Sequence, residues 1–285
     1  MNALLLTVTI LFCSLQTVLK RVFTSRTGGK GTFLFSAITC LGALGFFLVT
    51  GGRLSFEAGI VPYAIAFAAS YAISSIFGIL AVATGSMCLS SLIISCSLII
   101  PSLYGLIFLK EPGGIGLYAG IVLLLIALVL VNRKDTSEKA IPITPKWLLF
   151  VFLSFLGNGM CSVTQKMQQV AFDGAYKNEF MIIALCFVFL FTMLPALKAE
   201  RKEFAPLIKS GWWLALLCGL FNGVVNLFVM ILSGRVPASV MFPLISGGGI
   251  VLTYIVSKVV YKEQMSRRQF VGFILGLLSI IFLSL

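Results

Sequence analysis

The sequence predicts an all-α polytopic membrane protein with ten transmembrane helices, arranged as two inverted five-helix repeats. Its 285 residues are 59% hydrophobic and 11% charged, whereas a soluble domain is about 45–50% apolar and about 25% charged. Apolar runs of about 20 residues recur along the chain, and each is long enough to span a hydrocarbon core. An internal duplication is the third observation, and it sets the number of helices in each half.

The duplication is clearest where two long apolar runs end in the same residues. Adding 152 to the numbers of the first run gives the second. The pair Lys110-Glu111 maps onto Lys262-Glu263, and Gly120 maps onto Gly272. Because one offset aligns three landmarks, we interpret the two segments as copies of one ancestral unit.

The apolar runs divide into two sets of five. The predicted spans are 3–19, 32–50, 59–83, 86–109, 114–131, 147–168, 179–198, 211–233, 237–261 and 268–285. The first repeat covers residues 1–131, a polar linker 132–146, and the second repeat 147–285. Since five is odd, the second repeat enters the membrane from the opposite side, as in many secondary transporters.

Two segments resemble a known family. They read ATGSMCLSSLIISCSLIIPSLYGLIFLKEPGGIGLYAGIVLLL and RVPASVMFPLISGGGIVLTYIVSKVVYKEQMSRRQFVGFILGLL. With the layout of five plus five spans, they resemble the drug/metabolite transporter superfamily, and within it the EamA-like transporter family. The resemblance implies two five-helix halves around a central cavity, and alternating access for amino acids, metabolites or drugs.

Polar residues inside the spans are the candidate substrate contacts. Ser70 and Ser74 lie one helical turn apart, and the offset of 152 converts them into Asn222 and Asn226. We expect the two pairs to face each other near the membrane midplane, either lining a cavity or bonding helix to helix. Polar stripes in other spans add further candidates, with packing as the alternative. They are Gln16, Ser95, Asn158, Ser162 and Gln165.

Charged residues are almost confined to span ends and connections. Glu111 and Glu263 follow the two duplicated runs, where they either pair with neighbouring groups or form gate ion pairs. Lys166 lies near the end of the sixth span, where it either snorkels to the interface or contacts an anion. Because no carboxylate falls at the middle of a span, we expect transport without a titrating membrane carboxylate.

Small residues and prolines mark the candidate hinges. Gly247, Gly248 and Gly249 lie in the middle of the ninth span, where they allow either close helix approach or hinge motion. Pro101 and Pro243 are expected to kink the fourth and ninth spans.

The composition also bounds the chemistry. The chain has no histidine, which is the commonest general base and metal ligand. Its seven cysteines lie in apolar runs without a CxxC pair. We therefore expect no enzymatic activity, no metal and no cofactor. The charge of +12 resides in the connections, where it meets lipid headgroups, so we expect no nucleic-acid partner.

Two arguments about orientation disagree. Connections 1–2, 5–6, 7–8 and 9–10 hold fifteen lysines and arginines, and the other face holds five. The positive-inside rule then puts both termini outside, whereas the resemblance implies termini inside. We follow the charge count.

The sequence as a whole predicts a multi-pass protein of the bacterial inner membrane, working as a monomer or homodimer. We expect it to move a small polar or amphipathic metabolite, amino-acid-like or drug-like, outward by alternating access. A lipid or lipid-linked sugar flippase of the same superfamily is one alternative. A non-transport membrane protein, either an enzyme or an assembly factor, is the other.

Overall fold

The computed structural model describes residues 2–27, 30–52, 54–84, 90, 93–94, 96–132, 144–206, 211–259 and 267–284. It is 88% helical, and no β-strand occurs in these ranges. The α-helices are α1 (Asn2–Thr27), α2 (Thr32–Thr50), α3 (Val61–Thr84), α4 (Ile99–Ile107), α5 (Ile115–Asn132), α6 (Pro145–Ala171), α7 (Lys177–Ala199), α8 (Trp212–Ser233), α9 (Ala238–Val259) and α10 (Arg267–Ser284).

The prediction of an all-helical membrane protein is confirmed. Within the described ranges, α1, α2, α3, α6, α7 and α8 are long and apolar enough to cross a membrane. Four shorter apolar stretches lie at Cys96–Ile107, Ile115–Ala127, Ala238–Gly249 and Phe270–Ser279. The arrangement of ten spans as inverted repeats, with repeat boundaries at 131 and 147, stays a prediction.

Several helices differ in extent from the apolar runs that predict them. Helix α1 continues to Thr27, well beyond the expected end at residue 19, because backbone hydrogen bonding does not stop where hydropathy falls. Helix α6 begins at Pro145, since proline is well suited to a first helical position. Thr144 precedes it, and its Oγ1 accepts a hydrogen bond from the Trp147 N–H at 3.2 Å.

The helices form two compact units, each of which draws on both halves of the sequence. Unit 1 comprises Ala3–Ala72 and Thr164–Gly234, and unit 2 comprises Ile73–Val163 and Arg235–Leu285. Helices α3 and α6 therefore each contribute one part to unit 1 and the other part to unit 2.

In unit 1, α2 packs against both α7 and α8. Its core lies where α1, α2, α7 and α8 meet, and it includes Phe23, Phe35, Ala196 and Leu214. Two glycines bring α2 and α8 into backbone contact. A Cβ placed on Gly219 would lie 2.3 Å from the Thr39 carbonyl oxygen and 2.8 Å from Gly42 Cα.

In unit 2, α5 packs along α10, while α9 packs against α4, α5 and α10. One core cluster joins Leu117 and Ile121 on α5 to partly buried side chains of α4 and α9. A second cluster joins α3 to α6 through Ala81, Trp147 and Val151. The Trp147 indole N–H also donates to Ser90 Oγ at 3.0 Å.

Candidate substrate site

Four side-chain amides from α1, α6 and α8 form a continuous hydrogen-bonded chain in unit 1. Gln165 Nε2 on α6 donates to Asn226 Oδ1 at 2.8 Å. Asn226 Nδ2 donates to Asn222 Oδ1 at 2.9 Å, one turn earlier on α8. Asn222 Nδ2 donates to Gln16 Oε1 on α1 at 3.2 Å. We call these four residues, Gln16, Asn222, Asn226 and Gln165, the amide chain.

The amide chain is largely shielded from solvent. Gln16 and Gln165 are 6% and 4% exposed, and both asparagines are half-buried. An unpaired amide in apolar surroundings costs about 2–7 kcal/mol, whereas a hydrogen bond between membrane helices returns about 0.6 kcal/mol on average. Four amides therefore add little stability by joining three helices, but they offer donors and acceptors to a polar ligand.

Apolar groups flank the amide chain on two sides. The Phe12 ring on α1, one turn before Gln16, meets the Phe221 ring on α8, next to Asn222 in the sequence, edge to face with centroids 5.0 Å apart. At the other end, Met181 Sδ on α7 lies 3.8 Å from Gln165 Nε2. Polar groups bordered by aromatic and thioether groups suit an amphipathic ligand.

The two serines of the third span are less closely connected. Ser70 is half-buried in unit 1, and Ser74 is half-buried in unit 2. The Ser74 carbonyl oxygen accepts a hydrogen bond from Ser154 Oγ at 2.8 Å. Their expected position opposite Asn222 and Asn226 stays a prediction.

The polar stripe of α6 contributes to both compact units. Gln165 joins the amide chain in unit 1, whereas Asn158 and Ser162 lie in unit 2. Asn158 Nδ2 donates to Ser97 Oγ at 2.6 Å, and Ser162 is half-buried. Ser95, which we also predicted as a substrate contact, lies outside the described residues.

Lys166 adds a buried positive charge next to Gln165. Its side chain is 6% exposed, and its Nζ donates to the Ser233 carbonyl oxygen at 2.9 Å, in the last turn of α8. A cation at a helix C-terminus gains about 0.3–1 kcal/mol, rising to about 2 in favourable geometry. Burying an ammonium costs several kcal/mol. The contact with the last turn of α8 offsets part of that cost.

Glu111 caps the first turn of α9, within unit 2. Its carboxylate accepts hydrogen bonds from the backbone N–H groups of Ala238 at 2.8 Å and Ser239 at 2.9 Å, and from the Ser239 hydroxyl at 2.9 Å. The first N–H groups of a helix have no intrahelical partner, and the helix dipole favours a negative charge there. Glu263, its counterpart in the repeat, lies outside the described residues.

Glu200 makes a second cap of this kind, in unit 1, which sequence reasoning missed. Its two carboxylate oxygens accept the N–H groups of Phe33 at 3.1 Å and Leu34 at 2.9 Å, in the first turn of α2. In the sequence Glu200 is one of several charged residues in a connection, and the partners lie 166 and 167 residues away. No local pattern identifies such a contact.

The candidate hinge residues all lie in unit 2. Gly247 and Gly248 are buried, and a Cβ on Gly249 would meet nothing within 4 Å, so Gly249 marks no close contact with the helices that the structure describes. Pro101 and Pro243 are buried, and Pro243 borders a pocket that Ser102 and Ser246 also line. That pocket has a volume of about 10 Å³, which is room for about one water molecule. It is too small for a metabolite.

Metal ligation finds no support in the described ranges. No group of three or more histidine, cysteine, aspartate or glutamate side chains converges there. The amide chain, in contrast, brings four uncharged polar side chains of three helices together.

A solved crystal structure of another protein superimposes on this chain with a TM-score of 0.78. The superposition covers 99% of this chain and 95% of that one, at 16% sequence identity. At this identity the likeness shows a shared fold and nothing about the ligand. No curated protein matches the sequence.

Residues 145–285 match the model of the EamA-like transporter family. Members of this family are membrane transporters, which agrees with the apolar helices of a multi-pass membrane protein. The resemblance seen in the sequence is thereby confirmed. Through residues 145–285, the chain belongs to the EamA-like transporter family of the drug/metabolite transporter superfamily.

Proposed function

We propose that the protein is a secondary transporter that moves a small polar or amphipathic metabolite outward across a lipid bilayer by alternating access. The observation that carries the proposal is the amide chain, which assembles four uncharged polar side chains from three helices of unit 1. An amide donates and accepts, so a ligand with hydroxyl, amide or carboxylate groups can replace each internal hydrogen bond with one of its own.

The exchange of hydrogen bonds provides a mechanism for alternating access. The amide chain connects α1, α8 and α6, and each of its four amides makes at least one hydrogen bond within it. A substrate that takes over these bonds removes the connections between the helices while satisfying the same groups. Binding thus lowers the barrier for α1 and α6 to move relative to α8 without leaving a polar group unpaired.

The chemistry of the amide chain supports a metabolite transporter over the two alternatives, which are a lipid flippase and a non-transport membrane protein. Neutral amides bind and release ligands, but they supply no acid, base or nucleophile. Phe12, Phe221 and Met181 add apolar contacts near the amide chain, which support a small amphipathic metabolite as the ligand. The substrate and the bilayer are then the two partners that the function requires.

Proteoliposome counterflow tests this proposal. Purified protein is reconstituted in vesicles preloaded with each member of a metabolite panel, and exchange for the labelled compound is followed in both directions. We expect saturable exchange of at least one polar metabolite by the wild type. Asn222→Ala should lower this exchange at least tenfold, since Asn222 links Gln16 to Asn226.

Asn178→Ala is the matched control, because it removes an amide of α7 that lies outside the amide chain. It should leave exchange close to the wild-type rate. Equal rates in the wild type and Asn222→Ala would remove the amide chain from the substrate site. If no metabolite were exchanged and a dye-labelled lipid were moved instead, the protein would be a flippase and the proposed function would be wrong.

A further inference from the structure

Several exposed basic side chains lie at one end of unit 1. Arg26 is in the last turn of α1, Lys30 precedes α2, and Lys198 is in the last turn of α7. Arg201 and Lys202 follow α7, in the connection to α8. All of these side chains are exposed, and all belong to unit 1. We call Arg26, Lys30, Lys198, Arg201 and Lys202 the basic end.

Packing between the helices brings the basic residues to the same end. Phe23 near the end of α1, Ala196 near the end of α7 and Leu214 near the start of α8 share one buried cluster. The guanidinium carbon of Arg26 lies 5.8 Å from the centroid of the Trp213 ring, at the start of α8. A guanidinium at this distance over an indole is attracted to the face of the ring. The last turn of α1 is thus held against the first turn of α8.

The basic end keeps an excess of positive charge. Glu200 and Glu203 are the acidic residues of the connection between α7 and α8. The two carboxylate oxygens of Glu200 accept hydrogen bonds from the N–H groups of Phe33 and Leu34, so its charge is directed at the start of α2. Two acidic residues do not balance the five basic ones, and the surface attracts anions.

Exposed indoles and leucines lie next to the basic end. Trp212 and Trp213, the first two residues of α8, are 49% and 46% exposed. Further along the same helix Leu216 and Leu220 are exposed, as Leu194 is near the end of α7. Exposed leucines of a membrane helix face the acyl chains, whereas tryptophan is enriched at the level of the headgroups. The two indoles therefore mark the membrane interface, with the basic end on its polar side.

We propose that the basic end binds the headgroups of anionic phospholipids in preference to zwitterionic ones, with Trp212 and Trp213 in contact with the same lipids. The proposal is independent of the proposed function, because it concerns the outer surface of unit 1. Arginine and lysine donate charge-assisted hydrogen bonds to phosphate oxygens. A free phosphate ion would use these donors but not the exposed indoles, so the combination fits a lipid.

Membrane electrostatics gives the size of the expected preference. Each lysine or arginine near an anionic membrane surface contributes enough attraction to change affinity about fivefold. One headgroup cannot contact all five basic side chains, so we expect a preference of about fivefold or more for phosphatidylglycerol over phosphatidylcholine. Salt should weaken this preference, because exposed charges are screened.

Tryptophan fluorescence reports on lipids at this surface. The chain has three tryptophans, of which Trp147 is 3% exposed and Trp212 and Trp213 lie beside the basic end. The full chain is reconstituted in vesicles of phosphatidylcholine and phosphatidylglycerol, with bromine on the acyl chains of one lipid and then of the other. Quenching by each brominated lipid gives their relative association constant. We expect a ratio of about five or more for the wild type, falling towards one in about 1 M sodium chloride.

The combined variant Arg26→Gln, Arg201→Gln and Lys202→Gln should bring this ratio close to one. The matched control, Lys110→Gln, Arg235→Gln and Arg267→Gln, removes the same charge from exposed residues of unit 2 and should keep the ratio. Thermal unfolding of both variants separates lost binding from lost folding. If the first variant does not fold, Lys202→Gln alone should still lower the ratio.

A ratio near one for the wild type, or a ratio that the variants of the basic end do not lower, would overturn the proposal. Inorganic phosphate, added at constant ionic strength, is the further arm. If it abolishes the preference for phosphatidylglycerol, the basic end binds free phosphate and the lipid proposal is wrong. None of these outcomes changes the counterflow result, which decides the proposed function by itself.

Discussion

Gly42 on α2 and Gly219 on α8 bring the backbones of their helices into contact, since a Cβ on Gly219 would lie 2.8 Å from Gly42 Cα. The Thr39 hydroxyl strengthens this crossing by donating to the Ala215 carbonyl oxygen at 3.3 Å. Helix α8 also carries Asn222 and Asn226, so the glycine crossing fixes the helix on which half of the amide chain depends.

Gly219→Ala should destabilise the protein. The new methyl group would lie 2.3 Å from the Thr39 carbonyl oxygen, so α2 and α8 would have to separate. Overpacking of this kind costs about 1–3 kcal/mol, and the gain in helix propensity of up to about 1 kcal/mol offsets only part of it. We expect a lower thermal unfolding temperature in detergent.

Gly45→Ala is the matched control on α2, because a Cβ there meets nothing within 4 Å. It should leave the unfolding temperature unchanged or raise it. If Gly219→Ala were as stable as Gly45→Ala, the crossing of α2 and α8 would not be as close as described.

Replacing either capping carboxylate by alanine should weaken the start of the helix that it caps. Glu111→Ala leaves two N–H groups of α9 without a partner, and Glu200→Ala does the same for α2. Loss of a cap costs about 0.5–2 kcal/mol. Faster hydrogen exchange at the first turn of α9 or α2 is the expected signal, while Glu57→Ala, which removes an exposed carboxylate, should change neither helix.

We expect the pH dependence of transport to stay the same when the negative charge of Glu111 or Glu263 is removed. Glu111→Gln and Glu263→Gln should change rate or expression but leave the pH profile largely intact, because a cap positions a helix and need not carry a proton. Proton-driven uptake measured in both variants checks this. Loss of a proton-driven signal in a folded variant would instead indicate a coupled antiporter in which that carboxylate carries the proton.

Orientation can be tested at an exposed basic residue of the connection between α7 and α8. The positive-inside rule puts this connection in the cytoplasm and both termini outside. A cysteine replacing Lys202, in a background without the native cysteines, should then resist an impermeant maleimide added to intact cells. Rapid labelling from outside would instead support termini inside, as the family resemblance implies.

The sequence predicts the residues of the amide chain well, because helical periodicity is a local property. Spacing of four residues puts Asn222 and Asn226 on one face of α8, and the same reasoning selects Gln16 and Gln165 on their own helices. Periodicity does not indicate which helix faces pack against each other. The bond between Gln16 and Asn222 joins residues 206 positions apart, and it is visible only once α1 and α8 are packed.

Other features leave no sequence signal at all. Glu200 has the composition of an ordinary connection residue, and its cap on α2 depends on the way α7 ends beside α2. The same holds for the Ser233 hydroxyl, which is buried in the last turn of α8 and has no hydrogen-bond partner among the described residues. The close contact at Gly219 likewise follows from a crossing, since glycine alone does not specify a neighbour.

The most direct test of the central claim is to measure substrate affinity and thermal stability together on Asn226→Ala. Asn226 makes two side-chain bonds in the amide chain, to Gln165 and Asn222. If the amide chain binds substrate, affinity should fall at least tenfold, or about 1.4 kcal/mol. Stability should stay close to that of the wild type, because only the bond to Gln165 joins two helices, and such a bond contributes about 0.6 kcal/mol on average. A loss of stability with unchanged affinity would show that the four amides only join helices, and it would contradict the account.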